Sequence, residues 1–253
     1  MFTARTILDT ARGSDARVGI GFVGDTQGAH RITSAAKRIG LGKPIIFNDP
    51  RRLVEALSSG EIDAAVRGNL DAHSTISAIK TIFSLDRIFR MALMQPRKGM
   101  IVLIGPVGVD EGWTVEDKIE MIDLGSRFLT NFNIEPKIGV LSGGRKGDRG
   151  RHPIVDKTLD DAEFIVRHFA GSGLDVKDCE ILIENAILDR NLILAPDGIS
   201  GNLIFRTLHF LGGWRALGAP VLNLEKVFID TSRAKKSYID SIALASAIAK
   251  MKR

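Results

Sequence analysis

The segment LSGGRKGDRGRHPIVDK, residues 141–157, combines glycines and basic side chains in an order that suits the binding of an anion. It follows the short apolar run 138–140, which is typical of the end of a strand. Gly143 and Gly144 allow a tight turn that exposes backbone N–H groups, and Arg145 and Lys146 add positive charge. On spacing alone, the segment fits a phosphate-binding loop and a solvated basic turn equally well.

A serine and an arginine stand side by side in the segment DTSR, residues 230–233, after the last extended stretch. Such a pair suits an oxyanion, because a guanidinium can bind two of its oxygens at once. The alternative is a helix cap beside a solvated arginine. Two further candidate loops are RGNLDAHS, residues 67–74, and APDGISGN, residues 195–202. The second of these runs into a predicted helix, whose first N–H groups favour an anion.

Nucleotide and metal motifs are missing from these loops. The loop at 24–28 matches neither glycine-rich nucleotide pattern. His73 and His152 lie in candidate loops, but neither has a second His or Cys at metal-ligand spacing. Cys179 is the only cysteine, which excludes a disulfide within the chain. We therefore expect no metal site and no tightly bound cofactor.

Apolar runs alternate with helix-like segments along the whole sequence, which is typical of an α/β protein with a mostly parallel sheet covered on both faces. In such sheets ligands lie at the carboxyl ends of the strands, where all the candidate loops fall. The predicted strands include 18–23, 62–66, 137–141 and 180–183, and the predicted helices include 74–83, 201–211 and 237–251. The segment PRKG, residues 96–99, divides the chain into two such series. We predict a first domain of residues 1–95 plus 228–253, and a second of residues 96–227.

The composition is that of a globular protein with 44% hydrophobic and 26% charged residues. The net charge of +5 is compatible with an anionic small ligand. Dispersed Lys and Arg residues, with only 6% aromatic residues, argue against nucleic acid as a partner. The sequence has no apolar stretch of the roughly 18 residues needed to span a membrane and no apolar signal core near its start, so we predict a cytoplasmic protein.

The segments GEIDAAVRGN, IGVLSGGRKGDRGRHPIVDK, NLILAPDGISGNLIFRTLHFLGG and VFIDTSRAKKS occur in the order of the motifs of the phosphate acetyl/butyryltransferase family. That family has an SGA-type loop, then LLSxSTKGS with a downstream DK, then FPDLxxGNxGYK and NDLSRG. The sequence most resembles a short, divergent branch of methanogens known as methanogenesis marker protein 4 or methyltransferase-related protein X. The likeness covers most of the chain after about residue 60.

The resemblance implies two three-layer α/β/α domains of the isocitrate/isopropylmalate dehydrogenase type, with an interdomain cleft and a homodimeric assembly. In the family, coenzyme A and an acyl phosphate meet in that cleft. Phosphate or coenzyme A is therefore the expected small anionic ligand. The resemblance assigns catalytic roles to Ser232, Arg233 and Asp240. The ligand-binding candidates are Arg67, Asn69, His73, Ser142, Gly143, Arg145, Lys146, Asp197 and Asn202.

Several positions depart from the family pattern. Arg67 stands where the family has a serine, the family's phosphate-binding arginine falls near Ala78, and its histidine falls near Asp71. The family's catalytic aspartate falls on Ile239, one residue before Asp240, and one residue is about 100° of rotation on a helix. LSxST has become LSGGR. These changes keep the anion-binding character but alter the acyl-transfer machinery.

Four functions remain open on the sequence. The first is a divergent protein that binds a phosphorylated or coenzyme A-like ligand, linked to methanogen metabolism, and the second is an active phosphate acyltransferase. The third is a methyltransferase-associated subunit, although no cobalamin-type DxHxxG motif is present. The fourth is a dehydrogenase of the isocitrate type, which would need metal-binding aspartates spaced i, i+4, as Asp156 and Asp160 are.

Overall fold

Strands and helices alternate along residues 2–252, the part of the chain that this computed structural model describes. The predicted α/β class is confirmed. The chain divides into two units, of which the first comprises Met1–Ile88 and Ala216–Arg253 and the second Phe89–Arg215.

The first unit has five strands in the order β2-β1-β3-β10-β9. The first four of these strands are parallel to one another, and β9 pairs antiparallel with β10. The strands are β1 (Val18–Gly21), β2 (Ile45–Phe47), β3 (Ala64–Val66), β9 (Arg215–Pro220) and β10 (Val227–Asp230). The helices are α1 (Ala4–Ala11), α2 (Thr26–Arg38), α3 (Pro50–Ser58), α4 (Ala72–Phe83) and α9 (Ile239–Met251).

Both faces of this sheet are covered by helices. Ala65 and Phe228 belong to one apolar cluster with Leu53 and Leu57 of α3 and Ile79 of α4. Successive strand residues point to opposite faces, and on the other face α9 packs against β1, β3 and β10. Residues 241–249 of α9 are all buried, because α1 and α2 pack against this helix from outside. The apolar sequence of α9 is that of a helix buried all round.

The second unit has five strands in the order β4-β5-β8-β6-β7. Here β4 is antiparallel to β5, and the other neighbours are parallel. The strands are β4 (Ala92–Gln95), β5 (Val102–Gly105), β6 (Lys137–Val140), β7 (Asp175–Asp178) and β8 (Leu192–Leu194). The helices are α5 (Val115–Asn131), α6 (Pro153–His168), α7 (Ile183–Asp189) and α8 (Gly198–Arg206). A 3₁₀ turn, Lys146–Asp148, precedes α6, and a π-helical turn, Thr207–Leu211, follows α8.

The compact units end at residues 88 and 215, whereas the domain bounds predicted from the sequence are 95 and 227. Two expectations about strands are corrected. The strand expected at 180–183 is instead β7 at Asp175–Asp178, followed by α7. The sequence of β7, DVKD, lacks an apolar run because β7 is an edge strand held by backbone pairing to β6. The last extended stretch is shorter than expected, because residues 222–226 form a turn between β9 and β10 and the strand begins only at Val227.

Candidate functional site

In the first unit, three neighbouring parallel strands end at one edge of the sheet. They are β1, β3 and β10, and the chain leaves each of them toward a helix: α2, α4 and α9. Helix N-termini carry unpaired N–H groups and a partial positive charge, so this edge is suited to an anion.

Asn69 and Gly68 fix the loop after β3 against the loop after β1. The Asn69 side chain accepts a hydrogen bond from the Val23 N–H (2.8 Å) and donates one to the Val23 carbonyl (2.7 Å). Gly68 has a φ of +63°, and a Cβ at this position would collide with the Gly21 carbonyl oxygen. Both polar groups of Asn69, a predicted ligand-binding residue, are thus engaged by backbone.

Arg67 fixes the same loop to the loop after β10. Its guanidinium is buried and donates hydrogen bonds to the Asp230 carboxylate and to the carbonyls of Leu70 and Thr231. Thr231 completes the contact by donating from its hydroxyl to the Gly68 carbonyl (2.7 Å). The structure therefore places Arg67, also a predicted ligand-binding residue, where it holds two loops together. Sequence reasoning missed this role because Arg67 and Asp230 lie 163 residues apart.

Arg233 is an exposed basic side chain at this edge. Its Nη1 lies 3.6 Å from Asp71 Oδ2, and 63% of the Arg233 side chain is exposed. Asp71 also caps α4, because its Oδ1 accepts from the Ser74 N–H and hydroxyl, both at 2.9 Å. These two hydrogen bonds hold the pKa of Asp71 below its ordinary value, and Arg233 adds to the effect. Asp71 is thus the counter-ion of Arg233 in the structure. The sequence analysis did not predict this pairing.

The other predicted residues of this edge lie in the loop after β10 and in the first turns of α4 and α9. Ser232 is partly buried, and its hydroxyl accepts a hydrogen bond from the Ala234 N–H (3.3 Å). His73 is exposed in the first turn of α4. Asp240 is partly buried in the first turn of α9. Tyr238, the residue before α9, is buried, which raises the pKa of its hydroxyl, while the positive charge of Arg67 opposes the rise.

In the second unit, the loop after β6 is largely closed on itself. Ser142 is buried, and its hydroxyl donates to the Gly144 carbonyl (2.9 Å). The Gly143 N–H donates to Thr158 Oγ1 (2.8 Å) and the Arg145 N–H to Asp148 Oδ2 (2.8 Å). The sequence predicts that backbone N–H groups of this loop are exposed. Two of them instead bond to acceptors in helix α6 and in the 3₁₀ turn, so the prediction is corrected for these two groups.

Two basic side chains of this loop remain exposed. They are Arg145 and Lys146. Lys146 Nζ lies 3.5 Å from Oδ2 of Asp178, the last residue of β7. The anion-binding potential of the loop thus lies in its side chains.

Asp197 and Asn202 position helix α8. Asp197 caps α8 by accepting from the Ser200 N–H (2.8 Å) and hydroxyl (3.0 Å), and Asn202 donates to the Val107 carbonyl (2.6 Å). A Cβ at Gly198 or Gly201 would collide with backbone carbonyls of the loop after β5. This helix therefore packs backbone to backbone against that loop, and both predicted ligand-binding residues take part in the packing.

A buried ion pair near the start of β4 went unnoticed in the sequence. Arg90 Nε donates to Glu111 Oε1 (2.5 Å), and the Arg90 N–H donates to Oε2 (2.9 Å). Burial raises the pKa of Glu111 to about 7, although Arg90 opposes the rise. The sequence gives no periodic signal for such a pair, since the two residues are 21 apart and both lie outside regular elements.

No group of three or more His, Cys, Asp or Glu side chains within residues 2–252 is arranged to hold a metal ion. The two aspartates at i, i+4 spacing make other contacts: Asp156 accepts from the Gly150 N–H (2.8 Å), and Asp160 pairs with Arg149 (2.6 Å). Over the same residues, no helix is long and apolar enough to cross a membrane.

Solved structures share this fold. A phosphotransacetylase from Streptococcus pyogenes matches with a TM-score of 0.71 and 19% identity, over 98% of this chain and 97% of that one. A branched-chain phosphotransacylase from Enterococcus faecalis matches with a TM-score of 0.71 and 12% identity, over 93% and 99% of the two chains. Isocitrate dehydrogenase from Methylococcus capsulatus matches more distantly, with a TM-score of 0.51 and 10% identity, over 92% and 83%. The predicted isocitrate dehydrogenase-like α/β fold is therefore confirmed.

No protein-family model matches the chain. Individual relatives do. A Methanosarcina mazei protein named "Putative methyltransferase mtx subunit X" is 46% identical over 83% of this chain and 76% of its own length. The protein of the same name from Methanosarcina barkeri is 47% identical over 86% and 81%. The chain therefore belongs to the methanogen family of mtx subunit X proteins, a divergent group with the phosphotransacylase fold.

Proposed function

We propose that the chain binds a small phosphorylated or coenzyme A-like anion, and that the carboxyl edge of the first unit holds the phosphate. The observation that carries this proposal is the exposed Arg233 at an edge where three helices begin. Arg233 and Ser232 supply charge and a hydroxyl, and Arg67 and Asn69 keep the loops in place. A link to methanogen metabolism fits the organisms of the relatives.

The test is a calorimetric titration of the purified chain with coenzyme A, acetyl phosphate and inorganic phosphate. We expect Arg233→Ala to weaken binding by about 10-fold or more, because charge-assisted hydrogen bonds are the strong ones. Lys236→Ala is the matched control: Lys236 is exposed in the same loop, and its removal should change affinity by less than about twofold. Binding no tighter than millimolar for all three compounds would refute the proposal.

The second unit contributes a separate candidate contact in Arg145 and Lys146. Both side chains are exposed beside a loop whose backbone is already bonded, so any anion there meets side chains and few N–H groups. The same titrations with Arg145→Ala test this contact. The ligand position expected between the two domains and the cytoplasmic location stay predictions.

Acyl transfer is the second candidate activity, and the position of Asp240 favours testing it. Asp240 lies in the first turn of α9, one residue after the position that the resemblance assigns to the base that deprotonates a thiol. A thiol-release assay with acyl-coenzyme A and phosphate decides the matter. Activity of the native chain no higher than that of Arg233→Ala excludes this candidate.

The names of the relatives suggest a third candidate, a subunit of a methyltransferase. Methyl-transfer assays with the purified chain, alone and with cell extract of a methanogen, test that role. A homodimer is the assembly that the resemblance implies, and we propose it for this chain. Sedimentation equilibrium of the native protein measures it directly.

A further inference from the structure

Arg233 lies in the irregular segment 231–238 that joins β10 to α9, which we call the arginine loop. Before Arg233 the loop is anchored at Thr231, whose hydroxyl donates to the Gly68 carbonyl (2.7 Å). After Arg233 the chain passes through a turn to Lys235, without regular structure. A loop that is held at one end can swing about that anchor, so the position of the Arg233 guanidinium depends on a second contact.

Lys235 supplies this second contact, because its side chain turns back toward the sheet. Its Nζ donates to the Ala216 carbonyl (2.8 Å) and the Ser241 hydroxyl (2.8 Å), and more weakly to the Leu217 carbonyl (3.4 Å). Ala216 and Leu217 belong to β9, and Ser241 lies in the first turn of α9. An ammonium has three N–H donors, and these oxygens can accept all three. Lys235 thus attaches the arginine loop to both β9 and α9.

The oxygens around the Lys235 ammonium are themselves held in place. Ser241 is buried, and its hydroxyl donates its one proton to the Leu217 carbonyl (2.5 Å), which leaves its lone pairs for the ammonium. Gly218, the next residue of β9, has a φ of +146°, and a Cβ there would lie 3.3 Å from the Ser241 hydroxyl oxygen. The lack of a side chain at Gly218 therefore leaves room for this hydroxyl. We call the Ala216 and Leu217 carbonyls and the Ser241 hydroxyl the lysine socket.

The neighbouring Lys236 differs from Lys235 in its surroundings and not in its charge. Lys235 is partly buried in the lysine socket, whereas Lys236 is exposed. The Lys236 side chain makes no hydrogen bond or ion pair with any of residues 2–252. A general attraction of anions to positive charge would involve both lysines, while attachment of the loop involves Lys235.

We propose that Lys235 is a positioning residue of the anion site, and that it holds the arginine loop so that Arg233 stays at the carboxyl edge of the first unit. The inference rests on the proposed function, in which Arg233 binds the anion. Hydrogen bonds from a charged donor are stronger than neutral ones, so an ammonium in a socket of oxygens is suited to fix a loop. Lys235 acts through Arg233, because its own ammonium faces the socket.

The first experiment measures the affinity for inorganic phosphate by calorimetric titration of Lys235→Met and of its matched control, Lys236→Met. Methionine keeps most of the apolar stem and removes the ammonium. We expect Lys235→Met to weaken binding by about 10-fold and Lys236→Met by less than about twofold. In an Arg233→Ala background, Lys235→Met should change the affinity by less than about twofold, because a positioning residue has no effect once the group that it positions is gone.

The second experiment restores the contact from solution. Lys235→Ala leaves the lysine socket open to a small cation with N–H donors, so methylammonium chloride should recover phosphate affinity by about fivefold. Tetramethylammonium chloride at the same concentration is the control, because it has the same charge and no N–H donor. Circular dichroism checks the fold of each variant. If Lys235→Ala does not fold, Ser241→Ala removes one acceptor of the socket instead and should weaken phosphate binding by about threefold.

The outcomes separate this inference from the proposed function. A native chain that does not bind phosphate would overturn the role of Lys235, and the proposed function falls with it if coenzyme A and acetyl phosphate also fail to bind. If the native chain binds phosphate through Arg233, equal affinities of Lys235→Met and Lys236→Met would overturn the role of Lys235 alone. The same conclusion would follow from a full effect of Lys235→Met in the Arg233→Ala background, or from equal rescue by the two cations.

Discussion

The two units fix the loops after their strands with the same kinds of contact, made by asparagine side chains and glycines. The side chains that are exposed beside these loops differ between the units. In the first unit Asn69 and Gly68 hold the loop after β1, and in the second Asn202, Gly198 and Gly201 hold the loop after β5. Each unit also buries one arginine against a carboxylate. Arg67 joins the ends of two neighbouring parallel strands, whereas Arg90 joins the residues just before β4 to the loop after β5.

The comparison separates residues that hold loops from residues that are presented to solvent. The buried arginine and the asparagines resemble ligand-binding groups in sequence, yet they bond to the protein itself. Among the exposed cations, Arg233 in the first unit and Lys146 in the second lie within 4 Å of a carboxylate. Each faces a carboxylate of its own unit, Asp71 or Asp178, so each has a resident counter-ion that an arriving anion must replace.

Removal of one partner of the buried pair in the first unit should have the largest effect. Arg67→Met leaves Asp230 with a buried charge beside two strand ends, and the expected loss is about 3–5 kcal/mol of unfolding free energy. Urea unfolding followed by circular dichroism measures it. Arg52→Met is the control, because Arg52 forms only exposed ion pairs and should cost less than about 1 kcal/mol. A loss for Arg67→Met as small as the control would show that the pair does not hold the loops.

The stability of the chain should depend on pH through Glu111, which belongs to the second unit. The pKa of Glu111 is about 7 in the folded chain and 4.5 when exposed, so the folded state binds this proton more tightly. Its contribution to stability is therefore present below about pH 4.5 and is lost as pH rises through 7, by at most about 3 kcal/mol. In Glu111→Gln this slope should disappear from urea unfolding measured between pH 5 and 8. An unchanged slope would assign the dependence to other groups.

Asn69 and Asn202 allow a direct comparison of the hydrogen bonds that fix the loops in the two units. Asn69→Ala removes two hydrogen bonds to Val23 and should cost about 2 kcal/mol, while Asn202→Ala removes one bond to Val107 and should cost about 1 kcal/mol. Hydrogen exchange of the loops after β1 and β5 would show where the structure opens. A larger loss of stability for Asn202→Ala than for Asn69→Ala would contradict the expectation that two hydrogen bonds stabilise a loop more than one does.

The resident counter-ions should give the smallest effect. Asp71→Asn keeps a cap for α4 but removes the charge facing Arg233, so inorganic phosphate should bind up to about fivefold more tightly. Asp178→Asn tests the same idea for Lys146 in the second unit. Weaker phosphate binding in Asp71→Asn would mean that this carboxylate helps the ligand to bind.

Much of the fold follows from local patterns in the sequence. At the start of helix α3, Asp49 accepts from the Arg52 N–H (2.8 Å) and Pro50 occupies the first position, and both signals act within one turn of the sequence. The strand β7 could not be predicted from its sequence, because an edge strand can be held by backbone pairing alone. The fold family was predicted from the order of the four motifs along the chain. Individual residues would not have been enough to predict it.

The candidate site was only partly predictable. The position of Arg233 could be inferred from its neighbours along the chain, but its counter-ion Asp71 lies in another loop. The roles of Arg67 and Asn69 depend on Asp230 and Val23, which are distant in sequence and adjacent only when parallel strands come together. Pairings of this kind depend on strand order, and the sequence alone does not state strand order.

The place of β10 between β3 and β9 has a consequence for how the protein is made. At roughly 5–20 residues per second, a ribosome that has finished β3 works on for about 10–30 s before β10 emerges. All five strands of the second unit are translated in that interval, so that unit can fold first. Until then β3 has an open edge that invites wrong pairing. Its brevity, three residues, limits that hazard.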